Sequence, residues 1–307
     1  MRISFIKTLC ELARTDENIW LVCGDLGFSV LEPFAEEFPD RFINAGVAEQ
    51  NMTGLAAGLA LSGKTVFTYS IANFPVMRCF EQIRNDVCYH NLNVKIVAVG
   101  GGLAYGTQGY THHGVEDLAV MRVLPNMTVI APGDPIETKF AVQSMAQQKG
   151  PGYLRLGKAS EPIVHQTEPV FEIGRAIRLL DGKDIALIST GAMLETTMAA
   201  AKELQKTGVA VTVLSMHTVQ PLDENAVKDA AKECRAIITI EEHAVGGLGS
   251  AVGEILAQSY DNPMFRMMRL NREPVKHAGS QKYLRTAQGL DVKGIIKMVE
   301  SVLARHA

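Results

Sequence analysis

Short apolar runs recur along the chain, separated by stretches with helical spacing. Residues 19–23, 65–69 and 94–99 are rich in branched and aromatic side chains and read as strands. Between them, residues 46–61 and 76–89 read as helices. Residues 128–130 form a further short run, closed by Ala131, Pro132 and Gly133. Pro151, Gly152, Pro162 and Pro169 then punctuate a polar stretch, after which the alternation restarts. Strands are predicted at 185–190, 209–214 and 236–240, with helices at 194–207 and 223–234. The first of these helices stops at Gly208, a usual C-terminal stop. Runs apolar on both faces, alternating with helices, predict mainly parallel sheets buried between helix layers. The fold expected is α/β, with two consecutive and separate open units, 1–168 and 169–307. Ligands of such sheets bind beyond the carboxyl ends of the strands. That draws attention to the loops near Asn44, Tyr69, Gly100, Arg155, His217 and Glu241.

Composition narrows the classes. A length of 307 residues, with 47% hydrophobic and 21% charged positions, suits a two-domain globular protein. Lys and Arg number 30 and Asp and Glu 33, a formal charge of −3. There is no basic excess for a general nucleic-acid surface. No apolar run approaches the roughly 18 residues of a membrane span, and the first residues carry no secretory pattern. The five cysteines are odd in number, scattered and without a CxxC pair. This argues against a disulfide framework or structural zinc and for a reducing, cytoplasmic setting.

Three segments carry candidate chemistry. Glu49 stands at the start of a small-residue helix, where a carboxylate is favourable in any case. If partly buried, it would have a raised pKa and share a proton with a ligand nitrogen. The loop from Gly100 to Gly114 is dense in glycine but has neither GxGxxG nor a P-loop pattern. Its neighbours His112 and His113 are expected to point apart, and so are poor co-ligands of one metal. Glu241 to Ser250 follows a strand and opens a helix, where glycines serve close packing or an anion site. Arg78 and Arg155 are anion clamps or salt-bridge partners. Tyr69, Phe74 and Phe80 stack on a flat ring or fill the core. Pattern alone leads to an α/β enzyme of unassigned chemistry.

Taken in order, the segments resemble the thiamine-diphosphate enzymes of the transketolase group. The resemblance is carried by Ala48-Glu49-Gln50 with residues 55–60, by Thr111-His112-His113-Gly114-Val115-Glu116-Asp117-Leu118, and by Leu124-Pro125-Asn126-Met127 and Ala131-Pro132-Gly133-Asp134. It continues in Val219-Gln220-Pro221-Leu222-Asp223 and in Glu241-Glu242-His243 with its glycines. It runs along nearly the whole chain. The resemblance implies a pyrimidine-binding domain followed by a transketolase C-terminal domain. The chain lacks the Gly-Asp-Gly motif and downstream Asn that, in this group, hold the diphosphate through Mg²⁺ or Ca²⁺. It therefore resembles the C-terminal subunit of a split transketolase, transferring a two-carbon ketol unit from a ketose to an aldose. An N-terminal-type partner supplies the metal and diphosphate half, and an α₂β₂ heterotetramer is expected.

The resemblance also implies roles. Glu49 faces N1′ of the aminopyrimidine. His112 bonds substrate oxygens and moves protons. Phe74 stacks on the aminopyrimidine with Tyr69 nearby, and Arg155 contacts a sugar phosphate. Arg78 falls where 1-deoxy-xylulose 5-phosphate synthases carry an arginine. Departures bear on the substrate. Gln108 replaces an Asp that reads a sugar hydroxyl, and a phosphate-binding histidine falls at Gly100 or Gly101. His277 to Gln281 resembles the synthase branch. Whether the sugars are phosphorylated, free or nucleotide-linked stays open. Two alternatives stand beside this reading. One is a subunit of a synthase-like or 2-oxoacid dehydrogenase-like thiamine enzyme. The other is a structural subunit without catalysis.

Overall fold

The computed structural model describes residues 1–260 and 263–304. The first unit supplies β1 (Ile19–Cys23), β2 (Phe42–Asn44), β3 (Thr65–Ile71), β4 (Val94–Val99), β5 (Thr128–Ile130) and β6 (Gly152–Leu156). The second supplies β7 (Ile177–Leu180), β8 (Ile185–Ser189), β9 (Val211–Ser215), β10 (Thr218–Gln220), β11 (Ala236–Ile240) and β12 (Met264–Met268). The sheets are ordered β10-β5-β6-β4-β3-β1-β2 and β12-β11-β8-β9-β7. Pairing is parallel except at β10–β5 and β7–β9. This is the mainly parallel α/β architecture that the apolar runs imply.

Alternation along β3 sorts side chains onto two faces. Phe67 and Tyr69 join the core beneath the helix Arg2–Ala13, where Phe5 stacks on Tyr69 at 5.8 Å. Val66 packs on the opposite face, with Met52 and Ala56 of the helix Glu49–Leu61, and Ser70 points the same way to reach Glu49. The predicted helix at 76–89 is instead two short helices, Phe74–Met77 and Phe80–Gln82, followed by a π-turn over Ile83–Cys88. Pro75, in the first turn of the short helix, fixes its start and places Phe74 at the mouth of the strands.

The two units are not separate. β10 leaves the second unit to pair with β5 of the first. The connecting stretch is pinned by His165, whose Nε2 lies 2.8 Å from a Glu137 carboxylate oxygen. Ser215 at the end of β9 donates to the same oxygen at 2.7 Å. The crevice beyond β8 and β11, where an open sheet usually takes its ligand, is filled by the first unit. Gly191 donates to the Ala131 carbonyl at 3.0 Å, and the Arg155 guanidinium reaches the Glu242 carbonyl at 3.1 Å. No helix among the described residues is long and apolar enough to cross a membrane.

Candidate active site

The carboxyl ends of β1 to β6 open onto one mouth, and Glu49 lies in it. The short turn from Ala45 to Ala48 brings Glu49 to the first turn of its helix, with only 2% of its surface exposed. Its Oε1 accepts from Ser70 Oγ at 3.3 Å, and its Oε2 accepts from Arg78 Nη1 at 2.9 Å. The Arg78 guanidinium lies 4.3 Å above the centre of the Phe74 ring. His112 meets the same ring edge-on at 5.3 Å, and its Nδ1 is 3.0 Å from Thr111 Oγ1. Asn73 donates to the Thr111 carbonyl at 2.6 Å, which ties the Phe74 platform to the histidine loop.

Tyr105 continues the wall 6.1 Å from His112, with Lys158 Nζ 4.6 Å over its ring. Gln108 stands exposed on the same loop. Glu49, Phe74, Arg78 and His112 are thus brought together, with Gln108 on the rim. Ser70, Asn73, Tyr105 and Lys158 are members that sequence reasoning missed. Their signal was position alone, since each lies at or beyond a strand's carboxyl end.

Tyr69 and Arg155 are elsewhere. Tyr69 is the strand neighbour of Ser70, so the pleat sends it to the opposite face, buried against Phe5. Arg155 is buried between the two units. Its Nε donates to Asp117 Oδ2 at 2.8 Å and its Nη2 to the Gly114 carbonyl at 2.6 Å. Tyr153 donates to the same Asp117 oxygen at 2.6 Å. The glycines beside it make this packing fit. A Cβ on Gly101 would lie 2.4 Å from Arg155 Nε, and one on Gly100 2.0 Å from the Tyr105 ring. A histidine at either place would displace the residue already there.

The two histidines of the loop do point apart. His113 is buried with neither ring nitrogen paired, and burial lowers its pKa. Glu241 turns inward to the helix that follows it, Leu248–Leu256. Its oxygens accept from the Leu248 and Gly249 amides, both at 2.8 Å. The chain's own carboxylate therefore takes the anion position considered at this helix terminus. Gly249 serves close packing, since a Cβ there would lie 2.9 Å from Thr239 Oγ1.

Burial pushes the Glu241 pKa from 4.5 to about 7 and pulls the neighbouring His243 from 6.5 to about 4. The two act on stability with opposite sign. The folded chain keeps the Glu241 proton that the unfolded chain loses above 4.5, so this term weakens the fold as pH rises from 4.5 to about 7. The folded chain refuses the His243 proton that the unfolded chain takes below 6.5, so this term weakens the fold as pH falls from 6.5 to about 4. In thermal melts between pH 4.5 and 6.5, the stability of His243→Asn relative to the unaltered chain rises on acidification. That of Glu241→Gln relative to the unaltered chain falls. Shifts of the same sign in both variants, each measured against the unaltered chain, would contradict these assignments.

Residues 1–162 match the transketolase pyrimidine-binding domain and residues 174–295 the transketolase C-terminal domain. The chain belongs to the transketolase family. It is 41% identical over 300 residues to a subunit of the apulose-4-phosphate transketolase of Phocaeicola vulgatus, covering 96% of this chain and 95% of that one. It is 36% identical over 307 residues to a subunit of the 6-deoxy-6-sulfo-D-fructose transketolase of a Clostridium species, covering 99% and 95%. A solved structure described as a split gene transketolase, inactive beta4 tetramer, superposes with a TM-score of 0.88 at 38% identity, covering 98% and 97%. Synthases of 1-deoxy-D-xylulose 5-phosphate match as well, over about half of their own length.

The family implies thiamine diphosphate, and the mouth fits its aminopyrimidine. A buried carboxylate faces a ring platform, and a flat hydrogen-bond donor, the Arg78 guanidinium, already spans the two. Among the described residues no cluster of three acidic, His or Cys side chains could hold a metal.

Proposed function

We propose that this chain is the pyrimidine-binding subunit of a split transketolase, which moves a two-carbon ketol unit from a ketose to an aldose. The observation that carries the reading is the buried Glu49 carboxylate bridged to the half-buried Phe74 ring, with His112 on the same ring. When bound, thiamine diphosphate supplies the electron sink for carbon–carbon cleavage. Glu49 holds and exchanges a proton at N1′ of its aminopyrimidine. Phe74 stacks on that ring and orients it. His112, its Nδ1 held by Thr111, presents Nε2 to the substrate oxygens for proton transfer. An N-terminal-type partner provides the diphosphate and metal contacts, in an α₂β₂ assembly.

Two relatives are named for sugars with an anionic end, a phosphate in one and a sulfonate in the other. With Arg155 buried between the units, Lys158 at the rim of the mouth is, with the half-exposed Arg78, a cation placed to meet such an end. The substrates proposed are therefore anionic sugars. The test is transfer of labelled carbon from a ketose phosphate to an aldose by the chain with its partner, and by the chain alone. Transfer only by the pair supports the proposal. Consumption of pyruvate with release of CO₂ places the chain with the synthase or dehydrogenase branch. Full activity of the partner without this chain makes it a structural subunit.

A further inference from the structure

We propose that Arg78 is a built-in placeholder: its guanidinium occupies the position of the aminopyrimidine, and the cofactor must displace it to bind. The inference rests on the thiamine-diphosphate reading of the mouth. Two contacts define that position, a hydrogen bond to the buried Glu49 carboxylate and a face on the Phe74 ring. The guanidinium makes both, at 2.9 Å and 4.3 Å. It is flat, delocalised and a donor along its edge, so it reproduces the two features by which a protonated aminopyrimidine would be held.

The reason for such a device lies in Glu49. A carboxylate buried this deeply needs a partner, and its other contact is a single hydroxyl at 3.3 Å. Arg78 supplies the counter-charge without being locked in place, because 49% of its side chain is exposed. The half-exposed guanidinium regains water as it leaves, and the buried carboxylate then takes the incoming ring as its partner. The platform does not depend on it. Phe74 is held by its own short helix behind Pro75, and Asn73 ties that helix to the Thr111 carbonyl.

The chain therefore has two states at this position, one closed by its own arginine and one open to a ring. Affinity for the cofactor is reduced by the fraction of time the arginine is seated. Pyrimidine contacts alone are then too weak to hold the cofactor, and diphosphate contacts from the partner become decisive.

The test is calorimetric titration of the full-length chain with 4-amino-5-hydroxymethyl-2-methylpyrimidine, the ring of the cofactor without its diphosphate. Arg78→Ala and Arg78→Met, the latter keeping an apolar stem, are expected to bind it at least about tenfold more tightly than the unaltered chain, as release of a mostly closed state requires. Adding Glu49→Gln to either variant is expected to remove the gain. Equal or weaker binding by both arginine variants, with measurable binding by the unaltered chain, overturns the placeholder and leaves the thiamine reading standing. A gain that survives Glu49→Gln overturns it too. Binding by none of the chains overturns the placeholder, which requires binding once the arginine is removed, and leaves the thiamine reading to be judged on the assembled enzyme. Melting temperatures of the variants, recorded alongside, verify that each is folded.

Discussion

Glu49→Gln is expected to lower turnover of the assembled enzyme by about 10²–10⁴-fold, the range that a positioned acid–base group contributes. The substitution keeps shape and hydrogen-bonding capacity but removes the carboxylate. Gln still fills the space between Ser70 and Arg78, and the ion pair lost has a half-exposed partner. Replacing the buried carboxylate by a neutral amide also relieves its desolvation, which offsets the lost attraction, so the melting temperature and assembly with the partner should change little. A large fall in turnover with an intact complex would assign Glu49 to proton exchange. Turnover near that of the unaltered chain would remove Glu49 from the chemistry, and the catalytic reading of the mouth with it.

Asp117→Ala is expected to act in the opposite way, on stability. Asp117 is fully buried and receives Tyr153 and Arg155 at 2.6 Å and 2.8 Å. Removing it leaves the Arg155 charge buried with hydrogen bonds to the carbonyls of Gly114 and Glu242 and without its ion-pair partner. Breaking a buried pair in this way costs about 3–5 kcal/mol, which urea unfolding would register as a lower midpoint. The same network decides what Arg155 does. A packing role predicts that Arg155→Met lowers the unfolding midpoint and leaves KM for the sugar substrate near its usual value. A raised KM with an unchanged midpoint would return Arg155 to the substrate.

Much of this was legible in the sequence because it is local. The strands were readable because a strand covered on both faces is apolar along most of its length, as in β1, β4 and β11. Glu49 was readable as the first-turn carboxylate of its helix. The opposite placement of Tyr69 and Ser70 was available from the period of two along β3, but the resemblance drew Tyr69 toward the cofactor.

What could not be read is non-local. Nothing in Thr218 to Gln220 announces a partner strand about 90 residues earlier. Arg155 announces a charge, but not that Asp117 sits beside it. Arg78 and Phe74 are separated by one helical turn, and only folding places the guanidinium over the ring and against Glu49. The break of the 76–89 segment into short helices and a π-turn has no marker in the residue pattern beyond Pro75.

The division of labour between the units follows from the same packing. The second unit has the open-sheet topology that usually offers a ligand crevice, yet Ala131, Arg155 and the Gly100 to Gly102 loop occupy it. Glu242 completes the closure by accepting from the Leu103 amide at 3.2 Å and from Arg285 at 2.6 Å. On the proposed function, the chemistry of this chain is confined to the mouth of the first sheet, where one wall is provided and the facing half is left to a partner.

The most direct measurement of that claim is native mass spectrometry of the tagged chain isolated from its own cells. The expected result is a 2:2 complex with a second chain of diphosphate-binding type, carrying thiamine diphosphate and a divalent metal. An assembly of this chain alone that retains thiamine diphosphate, or a partner complex that binds the cofactor equally well without this chain, would contradict it.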